Sequence, residues 1–199
     1  MSELLERTAS GDPTPGGGSV AAITGALGLG LVCMALEVSV RRADAAPETA
    51  VLLERARTLL GVLRTHPDAD VAAFQGYMAA LALPKADADQ KARRRKAVQQ
   101  AASAATAAPL SAARDLLSGL KLAEQAAQLA HRSIVSDVGA GAHLMSAALQ
   151  AALLNVDINL GSLPSGAREA AQVERSELAR RGLTLAEQVT RAVSSRLNA

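Results

Sequence analysis

Aromatic residues are nearly missing from this chain: of 199 residues one is Phe, one is Tyr and none is Trp. Its hydrophobic share of 49% rules out a disordered chain, so a core must be built from Ala, Leu and Val. That composition suits closely packed helices and is poor for strands, which favour aromatic and β-branched side chains. Cysteine is scarce as well. Cys33 stands alone, which excludes an internal disulfide framework and fits a reducing, cytoplasmic setting. Neither sign of charge dominates, and a net charge of +2 is too small to imply nucleic acid. The first ten residues are acidic and polar, unlike a signal or transit peptide. Alternating strand patterns, long Gly-Pro linkers and clean internal repeats are absent, so a single all-α domain over residues 1–199 is expected.

What is present is a long uncharged run. Pro13, Thr14 and Pro15 make a turn, Gly16, Gly17 and Gly18 lead to Ser19, and no charge appears from Val20 to Leu36. Such a segment is a helix buried on nearly all sides or a membrane span, since about 18 uncharged residues meet the minimum for crossing a bilayer. Ala21, Ala22, Gly25, Ala26 and Gly28 recur at helical spacing, and no Trp or Tyr flanks the run as membrane anchors do. These features favour a central helix that its neighbours approach closely.

Further helices are expected over Ser2–Ser10 with Leu4 and Leu5 inward, from Pro47, from Pro67 to about Leu83, and over Asp87–Ala107. Pro109 is expected to separate the last of these from a helix over Leu110–His131. A segment from Ser136 through Leu160 and a polar helix from Glu169 to Leu197 complete the chain.

Chemistry has three candidate places. Gly16, Gly17, Gly18 and Ser19 at a helix N-terminus present free N–H groups to an anion, or simply form a capped turn. No Lys-Ser/Thr follows, so this is not a nucleotide phosphate loop. Asp70 and Phe74 lie one turn apart and share a helix face, with Lys85 after Pro84. Asp70 is otherwise a first-turn residue favoured by the helix dipole. Asp137 precedes an apolar helix carrying Asn155 and Asn159 one turn apart, and buried amides need partners. Asp137 and Asn155 share a face but lie about 27 Å apart on a continuous helix, so they cannot touch one reacting atom. They can line a long cleft or serve two sites in an oligomer. The basic run Arg93–Lys96 reads as a solvated face, and His66, His131 and His143 form no zinc pattern, so no metal is expected.

Together these stretches carry a resemblance. The Pro-Gly-Gly-Gly-Ser turn and its helix, the segment from Asp70 to Lys85 with its basic successor and Ala108-Pro109-Leu110, and the segment from Ser136 to Leu160 resemble the cyclodeaminase/cyclohydrolase family. That family comprises the C-terminal half of formiminotransferase-cyclodeaminase and free-standing bacterial methenyltetrahydrofolate cyclohydrolases. The resemblance spans roughly residues 1–195 and implies a soluble helical bundle that forms a homodimer, without metal or other cofactor, acting on a folate substrate. Asp70 and Asp137 are then the two candidates for proton transfer, with the choice between them open. Gly16, Gly17, Gly18, Ser19, Phe74, Asn155 and Asn159 are the expected substrate contacts, and Lys85 and Arg93 a charge for a polyglutamate tail. The alternative is a non-catalytic helical dimer that binds a small molecule or a protein.

Overall fold

The computed structural model describes residues 2–198 and, among them, helices and turns with no strand. The helices are α1 (Ser2–Thr8), α2 (Gly17–Val40), α3 (Pro47–Leu63), α4 (His66–Leu81), α5 (Ala88–Leu129), α6 (Val135–Asn159) and α7 (Ser165–Asn198). Short 3-10 turns, Arg132–Ile134 and Leu160–Ser162, flank α6. Local chemistry sets the boundaries. Prolines occupy the first turns of α3 and α4, where a missing N–H costs nothing. Asp87 caps α5 by accepting the Gln90 N–H at 2.7 Å, while Gln90 Oε1 accepts the Ala86 N–H at 2.9 Å. At the other end of α5 the Arg196 guanidinium donates to the carbonyls of Ala127, Gln128 and Ala130, which lack intrahelical partners.

The packing centre is α6, which lies against α2, α5 and α7, while α2 also touches α3, α4 and α5. Leu29, Leu36, Leu116, Leu120, Met145, Leu149 and Leu153 fill the core without any aromatic ring. Cys33 belongs to this core, and burial pushes its thiol up, against a smaller opposing pull from Arg57.

Helices α2 and α6 run antiparallel and, at one crossing, meet backbone to backbone. A Cβ placed on Gly28 would sit 2.7 Å from the Gly141 carbonyl oxygen, and one placed on Gly141 would sit 2.4 Å from the Gly28 oxygen. Backbone touches backbone, which only a residue without a Cβ permits. This contact fixes the register that brings Gly17 opposite Asn155 at one end of the pair.

Three expectations are corrected. Helix α2 is not buried on nearly all sides: one face packs, and Leu27, Met34 and Val38 face outward. In α1, Leu5 is exposed and no residue is buried, since seven residues make too short a helix to hold an apolar face against the bundle. Pro109 does not divide α5, which runs 42 residues through it. A proline removes one intrahelical bond, and this helix continues because another group takes the freed carbonyl, as described below.

The glycine contact makes a stability prediction of unusual sign. Ala normally stabilises a helix interior by about 1 kcal/mol over Gly. Gly28→Ala is expected to lose about 1–3 kcal/mol, because the opposing atom is backbone and cannot swing away. Gly61→Ala, where a Cβ meets nothing within 4 Å, is expected to be neutral or stabilising. Urea unfolding of the two variants checks this, and an equally stable Gly28→Ala would refute the close approach.

Candidate functional site

At the end of the α2–α6 pair nearest Gly17 lies a cavity of about 400 Å3, a size that suits a small ligand. The turn before α2 contributes Thr14 and Gly16, α4 contributes Asp70, Phe74, Tyr77 and Met78, and α5 contributes Ala105. From α6 come Asn155, Ile158 and Asn159. One carboxylate and two carboxamides thus share a mostly apolar space.

Asp70 is placed by α2. Its Oδ2 accepts the Ser19 hydroxyl at 2.8 Å, and a Cβ on Gly18 would fall 2.1 Å from its Oδ1. The side chain therefore lies on the first turn of α2, which has no side-chain cap of its own. Free N–H groups and the positive end of the helix dipole make that position favourable for a negative charge. The anion at this helix N-terminus is the chain's own Asp70. Gly18 and Ser19 are accordingly buried against the carboxylate and do not line the cavity, whereas Gly16 does. Gly17 is at the rim, where an added Cβ would lie 3.8 Å from Asn155 Nδ2.

The two amides are tied into backbone. Asn159 Nδ2 donates to the Ala105 carbonyl at 2.9 Å and to the Asn155 carbonyl at 2.8 Å. Ala105 is the residue four before Pro109, so its carbonyl is the one that the proline leaves without a partner. Asn159 fills that vacancy across the helix interface. Both N–H groups of Asn159 are spent on backbone, so its Oδ1 can only accept from a ligand. Asn155 Nδ2 donates to Ala151 at 3.0 Å, which leaves one N–H and Oδ1 for other partners.

Behind the cavity, His66 Nε2 lies 2.8 Å from Asp115 Oδ2 and ties the first turn of α4 to α5. Arg94 donates to the Leu81 carbonyl at 3.2 and 3.1 Å and closes the other end of α4. One member of the basic run is therefore structural, while Lys91, Arg93, Arg95 and Lys96 are exposed. Lys85 is exposed in the connection between α4 and α5 and is not part of the cavity wall. Asp137 lies in the first turn of α6, at the far end of that helix from Asn155, and does not share the cavity with Asp70. Sequence reasoning missed Tyr77, whose hydroxyl lies 3.1 Å from Ser162 Oγ. Its signal was available: Tyr77 follows Asp70 by two helical turns and so shares a face with Asp70 and Phe74. Thr14, Met78, Ala105 and Ile158 carried no comparable signal. Among the described residues, no three His, Cys, Asp or Glu side chains gather as a metal site.

Fold and site together define a helical-bundle protein with a preformed pocket of small-ligand size, one wall carrying a carboxylate and one wall two carboxamides. The chain belongs to the formiminotransferase-cyclodeaminase family, whose model matches residues 1–178. It is 34% identical to the methenyltetrahydrofolate cyclohydrolase of Methylorubrum extorquens, over 98% of this chain and 96% of that protein. It is 33% identical to the formimidoyltransferase-cyclodeaminase of Gallus gallus, over 87% of this chain but only 32% of that longer protein. Its fold matches that of formiminotetrahydrofolate cyclodeaminase from Thermotoga maritima with a TM-score of 0.80 at 23% identity, over 100% of this chain and 95% of that one.

The link between Asn159 and Pro109 is testable by a double-mutant cycle. Asn159→Ala is expected to cost about 1–3 kcal/mol by orphaning the Ala105 carbonyl. In a Pro109→Ala background the restored N–H bonds that carbonyl, so the same truncation is expected to cost less by at least about 0.5 kcal/mol. Additive losses in urea unfolding would disprove the link.

Proposed function

We propose that the pocket binds a reduced folate and that the chain is a methenyltetrahydrofolate cyclohydrolase. The observation that carries this reading is Asp70, a carboxylate fixed on a helix N-terminus inside the cavity and facing amide acceptors. The near end-to-end similarity to a free-standing cyclohydrolase supports it. In the substrate, the carbon bridging nitrogen 5 and nitrogen 10 is a cationic amidine, and a carboxylate in an apolar pocket stabilises charge of that sign. Asp70 takes a proton from the attacking water as the new C–O bond forms. It returns the proton to nitrogen 5 as the C–N5 bond breaks, and the hydroxyl proton leaves to solvent, which yields the 10-formyl product. Asn159 Oδ1 and Asn155 accept from ring N–H groups, and Phe74 and Met78 supply apolar contact.

The vertebrate relatives favour a second reaction for the same residues. Nitrogen 10 attacks the carbon of the formimino group in its protonated, amidinium form, and Asp70 moves the nitrogen 10 proton to the amino nitrogen as its bond to that carbon breaks, which releases ammonia and leaves the methenyl cation. In both reactions Asp70, not Asp137, is the assigned proton carrier, because Asp137 of the same chain is too distant. Lys85 and Arg93 stand outside the pocket, and their proposed part is limited to attraction of an anionic tail. A cytoplasmic homodimer that needs no cofactor beyond the folate substrate accompanies this reading.

Absorbance near the methenyltetrahydrofolate band separates the reactions. Enzyme-dependent loss from methenyltetrahydrofolate is expected, and enzyme-dependent gain from 5-formiminotetrahydrofolate with ammonia release identifies the second reaction. Asp70→Asn is expected to reduce turnover about 10²–10⁴-fold with circular dichroism unchanged. Gly18→Ala pushes the carboxylate off its seat and is expected to reduce turnover by as much as about 10²-fold. Unchanged turnover in Asp70→Asn would overturn the mechanism.

A further inference from the structure

The chain contains two aromatic rings in 199 residues, and both line the same cavity. Phe74 and Tyr77 lie one turn apart on α4, whereas no fully buried side chain of the core is aromatic. A ring on a pocket wall offers a flat apolar surface, and a tyrosine adds a polar tip. That tip is held from outside the cavity. The Tyr77 hydroxyl lies 3.1 Å from Oγ of Ser162, which belongs to the 3-10 turn after α6 and is not part of the cavity wall. The polar groups mark two ends of the site. Gly18 seats Asp70 and Gly17 faces Asn155, so these two residues mark the end at α2. Tyr77 follows Asp70 by seven residues and Ser162 follows Asn155 by seven, so the Tyr77–Ser162 contact marks the other end. Seven residues of α-helix span about 10 Å. Asn159 stands between, one turn before Ser162.

We propose that Tyr77, held by Ser162, is a specificity-determining residue, and that its end of the pocket takes the amino-pyrimidine end of a reduced pterin. The proposal rests on the folate reading. Both N–H groups of Asn159 are spent on the Ala105 and Asn155 carbonyls, so its Oδ1 only accepts. When the Tyr77 hydroxyl donates to Ser162 Oγ, its own oxygen is left to accept as well. Two acceptors on neighbouring turns thus stand at one end of a mostly apolar cavity. A 2-amino-4-oxo-pyrimidine presents two donors side by side, a ring N–H and an exocyclic amino group. The ring N–H goes to Asn159 Oδ1 and the amino group to Tyr77 Oη, with Phe74 against the flat face.

This contact also sets which way round the substrate lies. The carbon bridging nitrogen 5 and nitrogen 10 sits on the other ring of the pterin, away from the amino group. A pterin anchored at Tyr77 therefore carries that carbon toward Asp70. The reverse orientation would bring the aminobenzoylglutamate end to Tyr77. That end presents mainly acceptors, a carbonyl and carboxylates, which two further acceptors on the protein do not bind.

Titration calorimetry on the full chain tests the contact with two probes, tetrahydrofolate and the analogue whose 2-amino group is replaced by methyl. Tyr77→Phe keeps the ring and removes the hydroxyl, and circular dichroism confirms folding. The unmodified protein is expected to bind tetrahydrofolate at least about fivefold tighter than the methyl analogue, the worth of one hydrogen bond. Tyr77→Phe is expected to weaken tetrahydrofolate about 3–10-fold and the methyl analogue by less than about twofold. A tyrosine that only braces α4 against the end of α6 would weaken both probes alike. Ser162→Ala, outside the cavity wall, is expected to lower the preference for the amino compound at least about twofold. In turnover, Tyr77→Phe is expected to raise KM with kcat within about twofold, because the bond is the same in substrate and transition state. Equal weakening of both probes by Tyr77→Phe, or an unmodified protein that binds them equally, would overturn the proposal. Full preference in Ser162→Ala would overturn the part given to Ser162. Failure of tetrahydrofolate to bind the unmodified protein would overturn the folate reading itself, and the proposal with it.

Discussion

The backbone contact between Gly28 and Gly141 is the constraint on which the rest of the molecule depends. A core made of Ala and Leu has little volume per residue, so its helices must come close to leave no voids. Two glycines at the crossing of α2 and α6 let the pair close to backbone contact. That closeness has a geometric result some distance away. With the crossing fixed, the N-terminus of α2 and the C-terminal turns of α6 are held together, and the cavity forms between them and α4. Flexibility of the unfolded chain at glycine is offset here by contact that no other residue allows.

Helix ends supply the polar groups of the pocket. The first turn of α2 lacks a cap from its own sequence, and Asp70 from α4 fills that place. The mid-helix carbonyl freed by Pro109 lacks a partner within α5, and Asn159 from α6 fills that place. Both cavity residues therefore hold bonds that the bundle needs. A side chain fixed in this way loses little freedom when a ligand binds, which is how a site on rigid helices gains precision. It also couples stability to the site, since neither residue can be changed without exposing an unsatisfied backbone group or losing a helix-end charge contact.

Much of this was legible in the sequence. The scarcity of aromatics gave the all-helical class, and the prolines at 47, 67 and 84 placed the helix boundaries close to where they fall. Asp70 and Phe74 share one face, as their spacing required, and the Asn155–Asn159 pair did need backbone partners. What was not legible came from neighbours distant in sequence. Pro109 read as a break because local chemistry makes it one, and only a donor 50 residues later lets α5 continue. Tyr77 was overlooked because a lone tyrosine has no motif around it. Gly18 and Ser19 read as ligand contacts because a glycine-rich helix start suits any anion. Nothing local said that the anion would be a side chain of the same protein.

The uncharged run of α2 from Gly17 to Leu36 has two separate causes. Its inner face is apolar because it meets α3, α5 and α6, with glycine where α6 crosses. Its outer face is equally apolar, although the chain alone leaves it in water. An amphipathic helix on the surface of a bundle carries charge on its outer side. That charge is missing on two neighbouring helices at once, between Gly17 and Leu36 on α2 and between Val138 and Val156 on α6. The sequence run that first looked like a membrane span is thus better described as two half-surfaces. One builds the bundle and fixes the position of Asp70, and the other, continued on α6 to Ile158, borders the same cavity from outside.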